Sequence, residues 1–126
     1  MIKFGSANEL AYFEYLNIPD PAAPNNFIAP FWADFNPIAS TGTIYSKLEG
    51  TTPNRRLIIQ WHDIKLYKEV DPGGPQSSAT FQTILYEGSN DIVVQYLDTT
   101  FDDVLYDQGK DALAGIEYVE GLLGLE

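Results

Sequence analysis

A cysteine-free chain of 126 residues has the size of one domain, enough to bury most of its unfolded surface without disulfides or thiolate metal sites, and 1–126 is expected to form a single module. Seven Lys and Arg against eighteen Asp and Glu leave a formal charge of −11, which repels phosphate backbones and anionic bilayers and makes nucleic acid a poor partner. Every apolar run is interrupted well short of the roughly 20 residues a membrane-spanning helix needs, so no membrane insertion is expected.

From the N-terminus, Ile2-Lys3-Phe4-Gly5 reads as a strand already under way, and no basic-then-apolar secretory signal precedes it. The chain is therefore expected to be a piece of a larger protein, and its final Leu125-Glu126 reads equally as native or as residues left by an expression vector. Glu9 to Leu16 (ELAYFEYL) admits two helical turns capped by Asn8, with Leu10, Phe13 and Leu16 on one face; its aromatic content suits a strand or an irregular segment equally. The Pro-rich stretch Ile18 to Asn26 is a surface connector.

Strand signals dominate the remainder of the chain. Phe27 to Trp32 (FIAPFW) is apolar but contains Pro30, which has no N–H for a ladder, and so belongs on an edge or at a bulge. Gly42 to Glu49 and Arg56 to Tyr67 are expected to pair across the turn formers Gly50-Thr51-Thr52-Pro53-Asn54. After a second connector, Val70 to Ser78, a hairpin is predicted from Ala79 to Tyr86 and Asp91 to Leu97, with apolar groups on both faces of its first strand, as in a central strand. Ala112 to Val119 is a candidate closing strand. Short strands divided by turn signals predict an all-β fold, an antiparallel β-sandwich or an open β-roll, with the sandwich preferred.

Catalytic chemistry finds little to work with. His62 is the single histidine, and because strand neighbours point to opposite faces, Asp63 is not expected to orient its ring. No G-x-S-x-G elbow occurs, and Gly73-Gly74, set between prolines with no Lys or helix signal after it, is no phosphate loop. Paired carboxylates for glycoside hydrolysis are a reading that composition alone does not reject, but most acids, such as Asp20, Asp71 and Asp111, fall in loops where solvation accounts for them. A structural calcium ion held by Asp98, Asp102, Asp103 and Asp107 is the more specific use, although the EF-hand glycine and distal Glu are missing. Asp34 and Asn36 form a weaker oxygen cluster, read equally as an Asx-type turn. No other cofactor is expected.

Eight Tyr, seven Phe and two Trp make the chain rich in rings. Phe31, Trp32, Trp61 and Phe81 lie in the most strand-like segments and are expected in the core, whereas Tyr12, Tyr15, Tyr67, Tyr106 and Tyr118 are the candidate ligand-binding rings.

Ala29-Pro30-Phe31-Trp32-Ala33-Asp34, Asn54-Arg55-Arg56-Leu57-Ile58-Ile59-Gln60-Trp61 and Phe81-Gln82-Thr83-Ile84-Leu85-Tyr86 together resemble a β-rich module of large secreted or surface-attached bacterial and archaeal proteins. Those proteins include subtilisin-type peptidases, in which the module lies outside the catalytic domain. More distantly, the same stretches resemble the nidogen-type extracellular domain of animal adhesion proteins. The resemblance spans about residues 2 to 119 and implies an extracellular, non-catalytic role in adhesion, substrate contact or spacing, with no catalytic residue to transfer. In such modules a further strand with an Asn-Gly turn precedes the segment matching Ile2 to Gly5, a strand absent from this chain. The expected partner is thus a protein, cell-surface or glycan ligand, with a carbohydrate-binding module of a secreted hydrolase as the alternative and an acid/base glycosidase behind both.

Overall fold

A computed structural model describes residues 1–5, 17–22, 24–37, 42–67 and 77–125. The predicted Glu9 to Leu16 segment, Tyr12, Tyr15 and most of the 70–78 connector lie outside these. The described chain is all-β: eight strands form two open antiparallel sheets of four. In chain order the strands are β1 (Ile2–Lys3), β2 (Phe27–Trp32), β3 (Thr43–Glu49), β4 (Arg56–Ile64), β5 (Ala79–Tyr86), β6 (Ile92–Asp98), β7 (Leu113–Glu117) and β8 (Gly124–Leu125). Two compact units result, one from 1–34 with 111–126 and the other from 35–110.

The first unit holds the sheet β1-β2-β7-β8. β2 is interior, and Pro30 is accommodated by a register shift between Ala29 and Trp32 in the pairing with β7. The bulge alternative is therefore the one realised, because a residue without an N–H fits where the ladder is already interrupted. Ile18, Phe27 and Ala29 form the buried cluster, with Trp32 and Leu113 packed against it. The Phe27 and Trp32 rings meet edge-on at 4.9 Å between centroids, the arrangement ring quadrupoles favour. β8 takes in Leu125, opposite Ile116.

The second unit is a meander, β3-β4-β5-β6, in which each strand pairs with its sequence neighbour. Short connections explain that order, since consecutive antiparallel strands need only a turn between them. Its register sorts the side chains into cross-strand rows. Ile44, Trp61, Phe81 and Tyr96 make one row, with Ser46, Ile59, Thr83 and Val94 and then Leu48, Leu57, Leu85 and Ile92 on the same face. The other face carries Tyr45, Gln60, Gln82 and Gln95, followed by Lys47, Ile58, Ile84 and Val93. Trp61 stacks on Phe81 at 4.9 Å and 14° between planes, and Phe35 lies 5.9 Å from Phe81. Of the four rings expected in the core, Phe31, Trp61 and Phe81 are buried and Trp32 is half-buried.

Candidate functional site

The outermost strand of the meander offers the most accessible chemistry. β6 (IVVQYLD) has neither Pro nor Lys, and among the described strands only β5 pairs with it. Its outer edge leaves alternate backbone N–H and C=O groups without a ladder partner in that sheet, the kind of edge a foreign strand can extend. Leu97 is 84% exposed, and Ile92 and Tyr96 are partly so. Between Thr80 and Phe81 the β5–β6 register shifts, and beside that irregularity lies an open groove of about 570 Å³ lined by Gln60, Thr80, Phe81, Gln82, Gln95, Tyr96 and Leu97. Gln82 Nε2 donates to Gln95 Oε1 at 2.6 Å, so two amides of the glutamine row hold each other in place. Partial burial pushes the Tyr96 hydroxyl above its usual pKa, keeping it a neutral donor. The groove therefore presents the amides of the glutamine row beside an exposed leucine. Sequence alone puts Gln60 and Gln82 on strand faces without a role; the signal that marks them is their common register with Gln95.

At the opposite end of the same sheet, two arginines tie turns together. Arg55 reaches both carboxylate oxygens of Glu87 through Nε and Nη2, and its backbone N–H donates to Glu87 Oε2 at 3.2 Å. Arg56 donates from Nε and Nη2 to Glu49 Oε2 at 2.9 and 2.7 Å, and Lys47 lies 2.6 Å from Glu49 Oε1. Hydrogen bonding to Lys47 and Arg56 holds Glu49 below the usual carboxylate range, and Arg55 does the same to Glu87. Both acids are thus biased toward ionisation, the reverse of what a general acid needs. This clamp faces a smaller groove of about 320 Å³ lined by Leu48, Arg55, Leu57, Leu85, Tyr86 and Glu87.

His62 corrects one expectation. Asp63 adopts a left-handed conformation (φ 52°) where the β4–β5 register shifts between Trp61 and Ile64. The bulge breaks the alternation of side chains, and Asp63 Oδ2 lies 3.5 Å from His62 Nε2 instead of on the far face. The Ser78 and Thr80 hydroxyls sit on Asp63 Oδ1 at 3.4 and 3.3 Å. Among the described residues these two hydroxyls contact the acid and not the imidazole, so neither is placed for activation by His62.

The four aspartates proposed for calcium serve the chain after β6. Asp98 Oδ1 accepts the Thr100 N–H at 2.9 Å, Asp103 Oδ1 the Leu105 N–H at 2.9 Å, and Asp107 Oδ1 the N–H of buried Phe101 at 3.1 Å. The Asp102 N–H donates to Ser77 Oγ at 3.0 Å. Among the described residues no three His, Cys, Asp or Glu side chains gather as a metal-ligating group. Of the candidate tyrosines, Tyr67 and Tyr118 are 61% and 56% exposed, and Tyr106 is half-buried. Among the described residues no helix is long and apolar enough to cross a membrane.

Comparison with known proteins places these features in a family. No curated protein and no solved structure matches the chain. The family described as NIDO related matches residues 1–124, nearly the whole length. That span takes in both sheets, including the strands around Phe31-Trp32 and Phe81 to Tyr86 that carry the nidogen-type resemblance. The chain belongs to the nidogen-related family, whose domains are in general non-catalytic extracellular modules.

Proposed function

We propose that this chain is a non-catalytic adhesion module of a multidomain secreted or cell-surface protein, and that it binds a protein partner along the β6 edge. The observation that carries this reading is the combination of an edge strand that pairs only with β5 among the described strands, the exposed Leu97 and the adjoining glutamine-lined groove. Main-chain hydrogen bonds along an edge supply affinity, and flanking side chains supply selectivity. The ionised state of Glu49 and Glu87 supports a non-catalytic reading. So does the setting of His62, whose neighbours are the Asp63 carboxylate and the Tyr45 ring, with the nearby Ser78 and Thr80 hydroxyls turned to Asp63.

The glycan reading is weaker. Trp61 is consumed by its stack on Phe81, and a buried indole offers no platform to a sugar ring. The test is a binding comparison on immobilised extracellular-matrix and cell-surface proteins and on a glycan array. Leu97→Lys, which places a charge on the edge, is expected to weaken protein binding at least tenfold while leaving the thermal melt unchanged. Glycan binding that Leu97→Lys leaves intact, with no protein binding, would transfer the assignment to a carbohydrate-binding module.

A further inference from the structure

The direction of the main-chain groups along β6 follows from the turn before it. Tyr86 donates its N–H to Asp91 O at 3.0 Å, and on the other side of β5 Glu87 donates to Arg55 O at 2.9 Å. Residues of an antiparallel pair alternate between exchanging such bonds and not exchanging them. Asp91, Val93 and Gln95 therefore direct their N–H and C=O groups at β5, and Ile92, Val94 and Tyr96 direct theirs away from it. The alternation ends at Leu97, the extra residue where Phe81 pairs with Tyr96 but Thr80 with Asp98. Ile92 to Tyr96 is thus a regular, uncharged stretch bounded by Asp91 and Asp98, with outward groups at its two ends and its middle.

That stretch complements itself. When two copies of β6 run antiparallel about a two-fold axis at Val94, Val94 meets Val94 of the second copy and Ile92 meets Tyr96 of the second copy. Each of these residues points its main-chain groups at the other copy, and about six N–H···O=C bonds close the junction. Moving the axis to Gln95 carries the pairing across the irregularity at Leu97 and sets Ile92 against Asp98 of the second copy. Moving it to Val93 sets Tyr96 against Asn90, which lies outside the strand.

The side chains fit the same register. Directly opposite residues share a face, so the row Leu48, Leu57, Leu85 and Ile92 runs on into Tyr96, Phe81, Trp61 and Ile44 of the second copy, and the Val94 row meets itself. Ile92 and Tyr96, 41% and 48% exposed, cover each other at both ends of the junction as an aromatic on β-branched pair, a combination that stabilises sheets. Asp91 falls opposite Leu97 of the second copy and Asp98 opposite Asn90, so no acid faces an acid although each chain carries a charge of −11. Edges that stay single are blunted by Lys, Pro or an inward charge, and Ile92 to Tyr96 holds none of these.

We propose, resting on the edge-binding reading above, that the partner of β6 is β6 of a second copy of this chain, so that two meanders join into one continuous antiparallel sheet about a two-fold axis at Val94. The same surface serves both copies, and the pairing uses up both β6 edges, so assembly through this edge stops at two. A junction of one strand pair is small, which makes the association reversible and concentration-dependent. Like charge on the two copies means that salt tightens it, the opposite of an acidic chain capturing a basic partner.

The test is sedimentation of the whole chain over a concentration series, combined with cysteine cross-linking. The weight-average mass is expected to climb from one 14.1 kDa chain toward two as concentration rises, and to climb further when NaCl goes from about 0.05 to about 0.5 M. Val94→Cys reads the register, because the chain has no other cysteine and the Cα atoms of a hydrogen-bonded pair at the axis stand about 5.5 Å apart, within disulfide reach. It is expected to give a covalent dimer under mild oxidation, whereas Leu48→Cys, exposed on β3 at the other side of the sheet, is not. Val94→Pro deletes the outward N–H at the axis while sparing the β5 ladder, and should raise the dimerisation midpoint at least about tenfold in concentration. Should Val94→Pro fail to fold, the cysteine comparison decides alone. A chain that stays monomeric throughout, a dimer that Val94→Pro leaves unchanged, or Val94→Cys cross-linking no faster than Leu48→Cys overturns the self-pairing. If such a chain still binds immobilised proteins and loses them with Leu97→Lys, the edge reading stands with a foreign partner; a cross-linked dimer that captures no foreign protein supports the self-pairing and confines the edge to it.

Discussion

Thr83 offers the sharpest test of the packing described for the meander. It lies at the centre of β5 with 0% of its surface exposed, and its Oγ1 finds no hydrogen-bond partner among the described residues. Its cross-strand neighbours are Ile59 and Val94, and Phe81 and Leu85 flank it on the same face, so the hydroxyl is enclosed by apolar groups. Valine replaces that hydroxyl by a methyl of nearly the same size. The substitution removes the penalty of an unsatisfied buried group, about 1–3 kcal/mol, without opening a cavity. For a chain of this size that corresponds to roughly 3–6 °C in Tm per kcal/mol. Thr83→Val is therefore expected to raise both Tm and the urea midpoint, with the m-value unchanged. The assay is paired urea and thermal unfolding followed by near- and far-ultraviolet circular dichroism. An equal or lower midpoint would refute the reasoning, because it would mean that the hydroxyl is satisfied and worth more than its burial costs.

Acid titration probes the arginine clamp. Because Glu87 is held below its ordinary pKa, its contribution is complete above the unfolded value and is lost as pH falls through the folded one. The stability gap between wild type and Glu87→Gln should stay constant above about pH 5 and close below it; a gap independent of pH in paired melts would contradict the assignment. Gly121→Ala forces a Cβ into Asp20 O at positive φ and is expected to cost at least about 2 kcal/mol in chemical denaturation. Asp107→Ala frees the N–H of buried Phe101 and should cost about 1–2 kcal/mol. That loss should be the same in calcium and in chelator, whereas a calcium-dependent loss would show that the Asp98 to Asp107 segment holds an ion.

Local sequence is a good guide wherever structure is local. Ala79 to Tyr86 and the segment beginning at Asp91 are dense in β-branched and aromatic residues around a Glu-Gly-Ser-Asn turn, and they form β5 and β6 almost within the expected bounds. Pro30 announces its own bulge, because the missing N–H is a property of the residue and not of its surroundings. The acid-rich composition, the single histidine and the absence of cysteine point away from nucleic acid and nucleophilic catalysis before any fold is known.

What tertiary structure alone decided depends on residues far apart in the chain. β2 pairs with β7 although residues 35–110 separate them in sequence, and no local pattern encodes a partner at that distance. The Trp61 to Ile64 bulge turns Asp63 toward His62, against the alternation a regular strand would impose. Gln60, Gln82 and Gln95 become a row only through the register of three strands. Glu117 reads as one more acid among eighteen until folding buries it beside a loop 97 residues away in sequence, where it accepts the Asp20 N–H. Residue type and periodicity set which segments become strands, since those follow from side-chain sterics within a few residues; the environment of a charge is set by what the fold brings next to it.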